Sequence, residues 1–231
     1  MVEAFYREGK QILLLSYTNR AVDEICKTLS AITPEIDFIR IGSELSCDIP
    51  FRSHLIENVL ESCSSRREVH ACIERCRVFV GTVSTFSSKT ELFRLKTFDV
   101  AIVDEATQIL EPQLLGLLCA RNVAGGNAKF ILIGDHKQLP AVVLQSESQS
   151  EVCEDCLHSI GLHNLKDSLF ERLYRNSADT THHLSLITNR SYDMLCRQGR
   201  MNVEVARFPN HAFYGGLLEP VGLQHQQGEL T

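Results

Sequence analysis

Phe98-Asp99-Val100-Ala101-Ile102-Val103-Asp104-Glu105-Ala106-Thr107-Gln108 is the stretch on which the fold turns. Its short apolar run, Val100 to Val103, is bounded by charge on both sides and predicts a buried strand of a parallel sheet. Two adjacent carboxylates, Asp104 and Glu105, follow at the C-terminal end of that strand. Open α/β sheets bind their ligands at this end. Paired acids there suit a magnesium nucleotide site, one carboxylate holding the metal and the other positioning or deprotonating an attacking water. Taken alone they better suit a strand that runs out into solvated acids, which are common in loops.

A second strand tips the balance. Lys129-Phe130-Ile131-Leu132-Ile133 is followed directly by Gly134-Asp135-His136-Lys137-Gln138-Leu139-Pro140. Glycine at a strand end lets backbone approach a ligand, while Asp135 and Gln138 set a charged and a neutral hydrogen-bonding group beside it. Asp-Glu-Ala-Thr-Gln and, thirty residues later, Gly-Asp-His-Lys-Gln-Leu-Pro resemble motifs II and III of superfamily 1 helicases. The likeness is to the branch that contains senataxin and the nonsense-mediated-decay helicase. It implies an α/β fold, a RecA-like doubly wound parallel sheet of the P-loop NTPase type, with ATP and Mg2+ as cofactors. In that frame Asp104 binds magnesium, Glu105 activates water, Gln138 senses the γ-phosphate and Asp135 lies beside the nucleotide.

Working outward, Val2 to Arg7 reads as the last turns of a helix stopped by Gly9, and Gln11 to Ser16 as a buried strand. Tyr17-Thr18-Asn19 turns the chain into a helix from about Arg20 to Ile32, with Thr18 or Asn19 as N-cap. This strand, turn and helix resemble motif Ia, where hydroxyls, an amide and a helix N-terminus suit phosphate. The resemblance implies nucleic-acid contacts from Ser16, Thr18 and Asn19. Arg77 to Phe86 is a strand ending in a hydroxyl-rich turn, and its counterpart in relatives turns Thr82 and Ser84 toward the same groove. Residues 43–76, between these strands, look polar and irregular apart from a helix at 68–76. They resemble an insertion that leans over nucleic acid, with Arg66, Arg67, Arg75 and Arg77 as a phosphate-contacting set or a solvated charge run.

Downstream, Ser168-Leu169-Phe170-Glu171-Arg172 carries a capping box, Ser168 with Glu171, and continues the resemblance. Gln198-Gly199-Arg200-Met201 and Phe213-Tyr214-Gly215-Gly216 match the pattern that opens the second motor domain. Arg200 falls where an arginine reaches the γ-phosphate, Gln198 falls beside the nucleotide, and Gly199 stands where relatives carry tyrosine. The expected organisation is therefore a first RecA-like domain over 1–175 and the start of a second over 176–231, both incomplete.

No Gly-x-x-x-x-Gly-Lys-Thr/Ser loop occurs in the 231 residues. Such a loop supplies the backbone donors and the lysine for β and γ phosphates. The expectation is a piece of an ATP-dependent helicase or translocase that is inactive alone, its partner single-stranded DNA or RNA. Another reading is a catalytically silent binding module from a truncated gene product. A third is a zinc domain built on Cys153, Cys156, His158 and His163, for which a complete ligand set is not legible in the spacing.

Composition sets the outer bounds. With 44% hydrophobic and 23% charged residues the chain has material for one sizeable core and the start of a second. A net charge of −6 argues against a protein that coats nucleic acid, though not against a local basic groove. Nine cysteines without a regular framework fit a reducing compartment, nucleus or cytoplasm. No apolar run approaches the ~20 residues needed to span a bilayer.

Overall fold

The computed structural model describes residues 1–32, 36–122, 129–178 and 192–228. Five short apolar runs form strands: β1 Ile12–Ser16, β2 Phe38–Ile41, β3 Val78–Thr82, β4 Val100–Val103 and β5 Lys129–Leu132. All pair in parallel, in the order β2-β3-β1-β4-β5. The runs are too short for helices and apolar on both faces, a pattern that suits a sheet covered on both sides.

Alternation along the strands divides the core in two. Leu13, Leu15, Ile39, Ile41, Phe79, Ala101 and Val103 fall on one face, and Ile12, Leu14, Phe38, Val78, Val80, Val100 and Ile102 on the other. The second face is covered by α1 (Val2–Arg7) and α2 (Asn19–Ile32), through Phe5, Val22, Cys26 and Leu29. The first is covered by α3 (Ile56–Leu60), α4 (Arg66–Arg75), α5 (Val83–Ser88), α6 (Leu92–Leu95) and α7 (Glu111–Asn122). This is the doubly wound arrangement the sequence predicts.

The 43–76 segment is more ordered than its polar composition implies. Two 3-10 turns, Glu44–Ser46 and Ile49–His54, precede α3 and α4. Arg40, fully buried, forms an ion pair with Asp23 of α2 and donates to the Ser46 carbonyl at 2.9 Å. The His54 ring stacks on Phe38 with centroids 4.0 Å apart and its Nδ1 donates to the Phe38 carbonyl at 3.1 Å. Together with the Arg40 to Leu55 bridge, these contacts cover the outer edge of β2.

β5 contrasts with this. Among the described residues no strand pairs with its outer edge, and Phe130, Ile131 and Leu132 are half-exposed rather than buried as their apolar character predicts.

Lys96 closes α4. Its Nζ donates to the carbonyls of Ile73, Glu74 and Cys76 at 2.9, 2.7 and 2.6 Å, satisfying acceptors that the helix end leaves without intrahelical partners. Lys96→Met should therefore lower the unfolding free energy by about 1–3 kcal/mol, the cost of stranding buried acceptors. Urea denaturation followed by circular dichroism measures it, and an unchanged midpoint would mean that water replaces the ammonium group.

Gln145 to Asp155 is acidic and serine-rich, a composition that predicts a mobile loop, yet α8 (Glu147–Ser150) orders it, opening with a Ser146/Gln149 capping box. Backbone bonds from Leu165 to Ser150 (2.8 Å) and from Val152 to His163 (3.0 Å) pin it down. α9 (Asp155–His158) follows, and the His158 Nε2 donates to the Val152 carbonyl instead of turning toward the nearby thiols. Among the described residues no group of three or more His, Cys, Asp or Glu side chains could hold a metal ion, so the zinc reading is withdrawn.

The predicted capping box opens α10 (Leu169–Ala178): the Glu171 amide donates to Ser168 Oγ, and the Glu171 carboxylate accepts from the Ser168 amide. Arg172 then forms a two-pronged ion pair with buried Glu111 at 2.7 and 2.6 Å, tying α10 to the start of α7.

The chain divides into two units, Met1–Leu173 and Tyr174–Thr231. The second contains the parallel pair β6 (Arg197–Gln198) and β7 (Glu219–Pro220), with α11 (Val203–Phe213) and α12 (Gln224–Gln227). Ala124-Gly125-Gly126-Asn127, whose sequence reads as a loop before β5, lies outside the described residues.

Candidate functional site

The site is built from two strand ends that grip each other. At the top of β4 the Asp104 amide donates to the Leu15 carbonyl (2.8 Å), so the chain leaves the sheet just as the carboxylates begin. Glu105 then adopts φ 54°, ψ 36°, the left-handed region, and among the described residues no other non-glycine does so. Such a conformation costs about 1–3 kcal/mol and persists only where its surroundings enforce it.

Those surroundings are visible. Ile133 donates to Val103 and Ala106 donates to Ile133, both at 2.8 Å, while Ala106, Thr107 and Gln108 wind into a buried 3-10 turn. Gly134 lies directly against that turn. A Cβ there would stand 3.1 Å from the Thr107 backbone nitrogen and 3.0 Å from its methyl, so a larger residue would push the two turns apart.

Asp104 and Glu105 are each half-buried. The Asp104 carboxylate has no hydrogen-bond or ion-pair partner among the described residues, which leaves hard oxygen donors suited to a divalent cation. Gln108 Nε2 donates to Glu105 Oε2 at 3.2 Å. Sequence reasoning gave Gln108 no role, although its place three residues after Glu105 puts it on the same short turn. On the neighbouring strand end, Asp135 accepts from the Lys137 amide (3.0 Å) and from Gln138 Nε2 (2.8 Å). The Gln138 amide is thus aligned by Asp135.

The expected nucleic-acid contacts separate into two groups. Thr18 is exposed and accepts from the Ala21 amide at 3.2 Å as N-cap of α2, with Asn19 half-exposed next to it. Ser84 is exposed at the start of α5. Ser16 and Thr82 sit differently. They are register partners on β1 and β3, 0% and 5% exposed. Thr82 Oγ1 accepts from the Thr85 amide (3.1 Å) to cap α5, and Ser16 Oγ lies buried without a partner. The expectation of backbone contact from these two is corrected: the last residue of a central strand stays within the sheet, and only the turn beyond it reaches the surface.

Arg77 is likewise removed from the basic set. It lies over the Tyr6 ring at 3.7 Å and donates to the Tyr6 carbonyl at 2.7 Å, which anchors α1, whereas Arg66, Arg67 and Arg75 remain exposed on α4.

In the second unit Gln198 closes its own turn. Its Oε1 accepts from the Arg200 and Met201 amides (3.1 and 2.8 Å) and its Nε2 donates to the Met201 carbonyl (3.0 Å). Arg200 is exposed at the tip of that turn, its guanidinium without a partner among the described residues.

Comparison with known proteins follows the same lines. A family described as an AAA domain matches residues 52–146. The chain is 31% identical over 222 residues to the DNA replication ATP-dependent helicase/nuclease DNA2 of Bos taurus, which covers 95% of this chain and 18% of that protein. It is 30% identical over 222 residues to the Homo sapiens protein of the same name, with the same coverage. Against the DNA replication ATP-dependent helicase/nuclease JHS1 of Arabidopsis thaliana it is 34% identical over 154 residues, 64% of this chain and 10% of that one. The chain therefore spans less than a fifth of the length of these relatives. Among solved structures, the C-terminal part of the Fun30 ATPase domain superimposes with a TM-score of 0.36 at 16% identity, over 74% of this chain and 50% of that one.

Proposed function

Since this chain belongs to the DNA2/NAM7-like branch of the superfamily 1 helicases, we propose that it is the part of an ATP-dependent DNA motor that carries the hydrolytic carboxylates. The observation that supports this most directly is the left-handed backbone at Glu105, strain concentrated on the residue to which the reading gives the chemistry.

Asp104, with its unengaged carboxylate, would hold the magnesium ion of magnesium-ATP, which supplies charge neutralisation at the phosphates. Glu105 would orient a water molecule and accept its proton, with Gln108 restraining the carboxylate. Gln138, aligned by Asp135, would report on the γ-phosphate, and Arg200 would add positive charge from a second motor domain over 176–231. Thr18, Asn19 and Ser84 would touch the backbone of a single strand through hydroxyl and amide groups that carry no base preference. The replication named for the relatives favours DNA over RNA and a nuclear location.

ATP hydrolysis needs phosphate donors as well as carboxylates, and this sequence contains no phosphate loop. The expected result is no magnesium-dependent hydrolysis from the 231-residue chain, and single-strand-stimulated hydrolysis from a longer form that carries Gly-x-x-x-x-Gly-Lys-Thr/Ser. Hydrolysis by the short chain alone would show that other groups hold the phosphates. Silence from both, with retained single-strand binding, would favour a catalytically inactive binding module.

A further inference from the structure

A row of three polar side chains crosses the C-terminal end of the sheet on its α2 face. Leu14, Val80 and Ile102 belong to the core on that face, and Ser16, Thr82 and Asp104 each stand two residues further along the same strands. Asp104 is still held in the ladder, its amide donating to the Leu15 carbonyl at 2.8 Å, so it lies beside Ser16 as Val103 lies beside Leu15. The three members of the row are not equivalent. Thr82 Oγ1 is engaged by the Thr85 amide (3.1 Å) and by the Thr85 hydroxyl (2.8 Å). Ser16 Oγ is fully enclosed and has no hydrogen-bond partner, and the Asp104 carboxylate next to it has none among the described residues.

Buried hydroxyls are almost always paired, and an orphan calls for a ligand or an ordered water. Neighbouring strands lie ~4.8 Å apart, a separation that one water molecule bridges with ordinary hydrogen bonds of ~2.8 Å to either side. Among the described residues no three His, Cys, Asp or Glu side chains converge on a metal ion. A divalent cation at Asp104 would therefore keep most of its coordination shell as water, which magnesium readily does. Groups that orient those waters then decide how firmly the ion is held.

We propose that Ser16 is a positioning residue for this cation, its hydroxyl accepting a hydrogen bond from a metal-bound water while Asp104 ligates the ion. The inference rests on the assignment of the metal to Asp104 and adds to it a residue from the neighbouring strand. A serine hydroxyl has two acceptor lone pairs, and water polarised by a divalent cation is a strong donor. The orphaned oxygen of β1 and the unengaged carboxylate of β4 thus satisfy each other through the shell of one ion.

Mn2+, which takes oxygen and water ligands as magnesium does, serves as the probe, because the electron paramagnetic resonance signal of the free ion is lost on binding. The whole 231-residue chain should bind a single Mn2+ saturably. Asp104→Asn should abolish that binding, and Ser16→Ala should weaken it about tenfold, the usual cost of removing a group that orients a metal's ligands. Ser16→Ala should nevertheless melt no lower than the parent, since it deletes a buried hydroxyl that makes no hydrogen bond within the protein. Unchanged Mn2+ affinity in Ser16→Ala, with Asp104→Asn silent, would overturn the role of Ser16 and leave the assignment of Asp104 standing. Binding that survives Asp104→Asn would overturn both. A lower melting temperature for Ser16→Ala would make the hydroxyl a structural group, and no saturable binding by the parent chain would show that these two residues do not hold a cation.

Discussion

Replacing Glu105 by glutamine in a longer form that carries a phosphate loop should reduce kcat for ATP hydrolysis by ~1000-fold, the size of a general-base contribution. The substitution preserves the side-chain volume and an oxygen to accept from Gln108, while it removes the base. Nucleotide affinity should stay within a few-fold, because Asp104 rather than Glu105 is the residue assigned to the metal. A companion variant separates chemistry from backbone. Glu105→Gly also removes the base but relieves the left-handed conformation, and should raise stability by about 1 kcal/mol where Glu105→Gln leaves it unchanged. Steady-state hydrolysis and urea titration of the two variants make the comparison. If Glu105→Gln keeps a tenth of the wild-type rate, the proton goes elsewhere.

The second large effect concerns folding. Asp23→Ala removes the partner of the Arg40 guanidinium, which is completely enclosed and whose Nε already lacks a partner. An unpaired buried charge costs about 3–5 kcal/mol, a large share of the ~5–15 kcal/mol that holds a domain together. The neighbouring Cys26 thiol, raised by burial to about 12, cannot ionise to take over the role of the carboxylate. A double variant, Asp23→Leu with Arg40→Met, replaces the pair by apolar volume and should recover most of the loss. Urea titration decides between these outcomes. A loss below about 1 kcal/mol for Asp23→Ala would mean that water reaches Arg40.

These two predictions also mark what the sequence did and did not reveal. The strand with Asp104 and Glu105 was legible because a short apolar run bounded by charge reads as buried, and its acids gained meaning from the Gly134 turn, where a glycine marks the close approach to Thr107. Arg40 was not. In Phe38-Ile39-Arg40-Ile41 it reads as a charged position on a strand, and its burial depends on Asp23, seventeen residues earlier on a helix, and on Ser46 beyond the strand. Ser16 and Thr82 fail for a related reason. Ser16 was read as the end of a strand and Thr82 as part of the turn after one, but the parallel register pairs the two inside the sheet, so both hydroxyls are buried. The order within 43–76 and 145–155 escaped because it comes from capping side chains and from His54 stacked on Phe38, not from apolar periodicity.

The two sides of the sheet are finished differently, and the difference falls on the candidate site. On the β2 side Arg40, His54 and Leu55 seal the ladder, and an added strand would have to dislodge them. On the β5 side no strand pairs with the outer edge among the described residues, and Phe130, Ile131 and Leu132 stay half-exposed. The turn that carries Gly134, Asp135 and Gln138 therefore leaves the least enclosed strand of the sheet, while the Asp104 and Glu105 turn leaves a strand flanked on both sides. One half of the site is held by the core and the other by the margin of the sheet, so loosening that margin would free Gln138 before it disturbed the carboxylates.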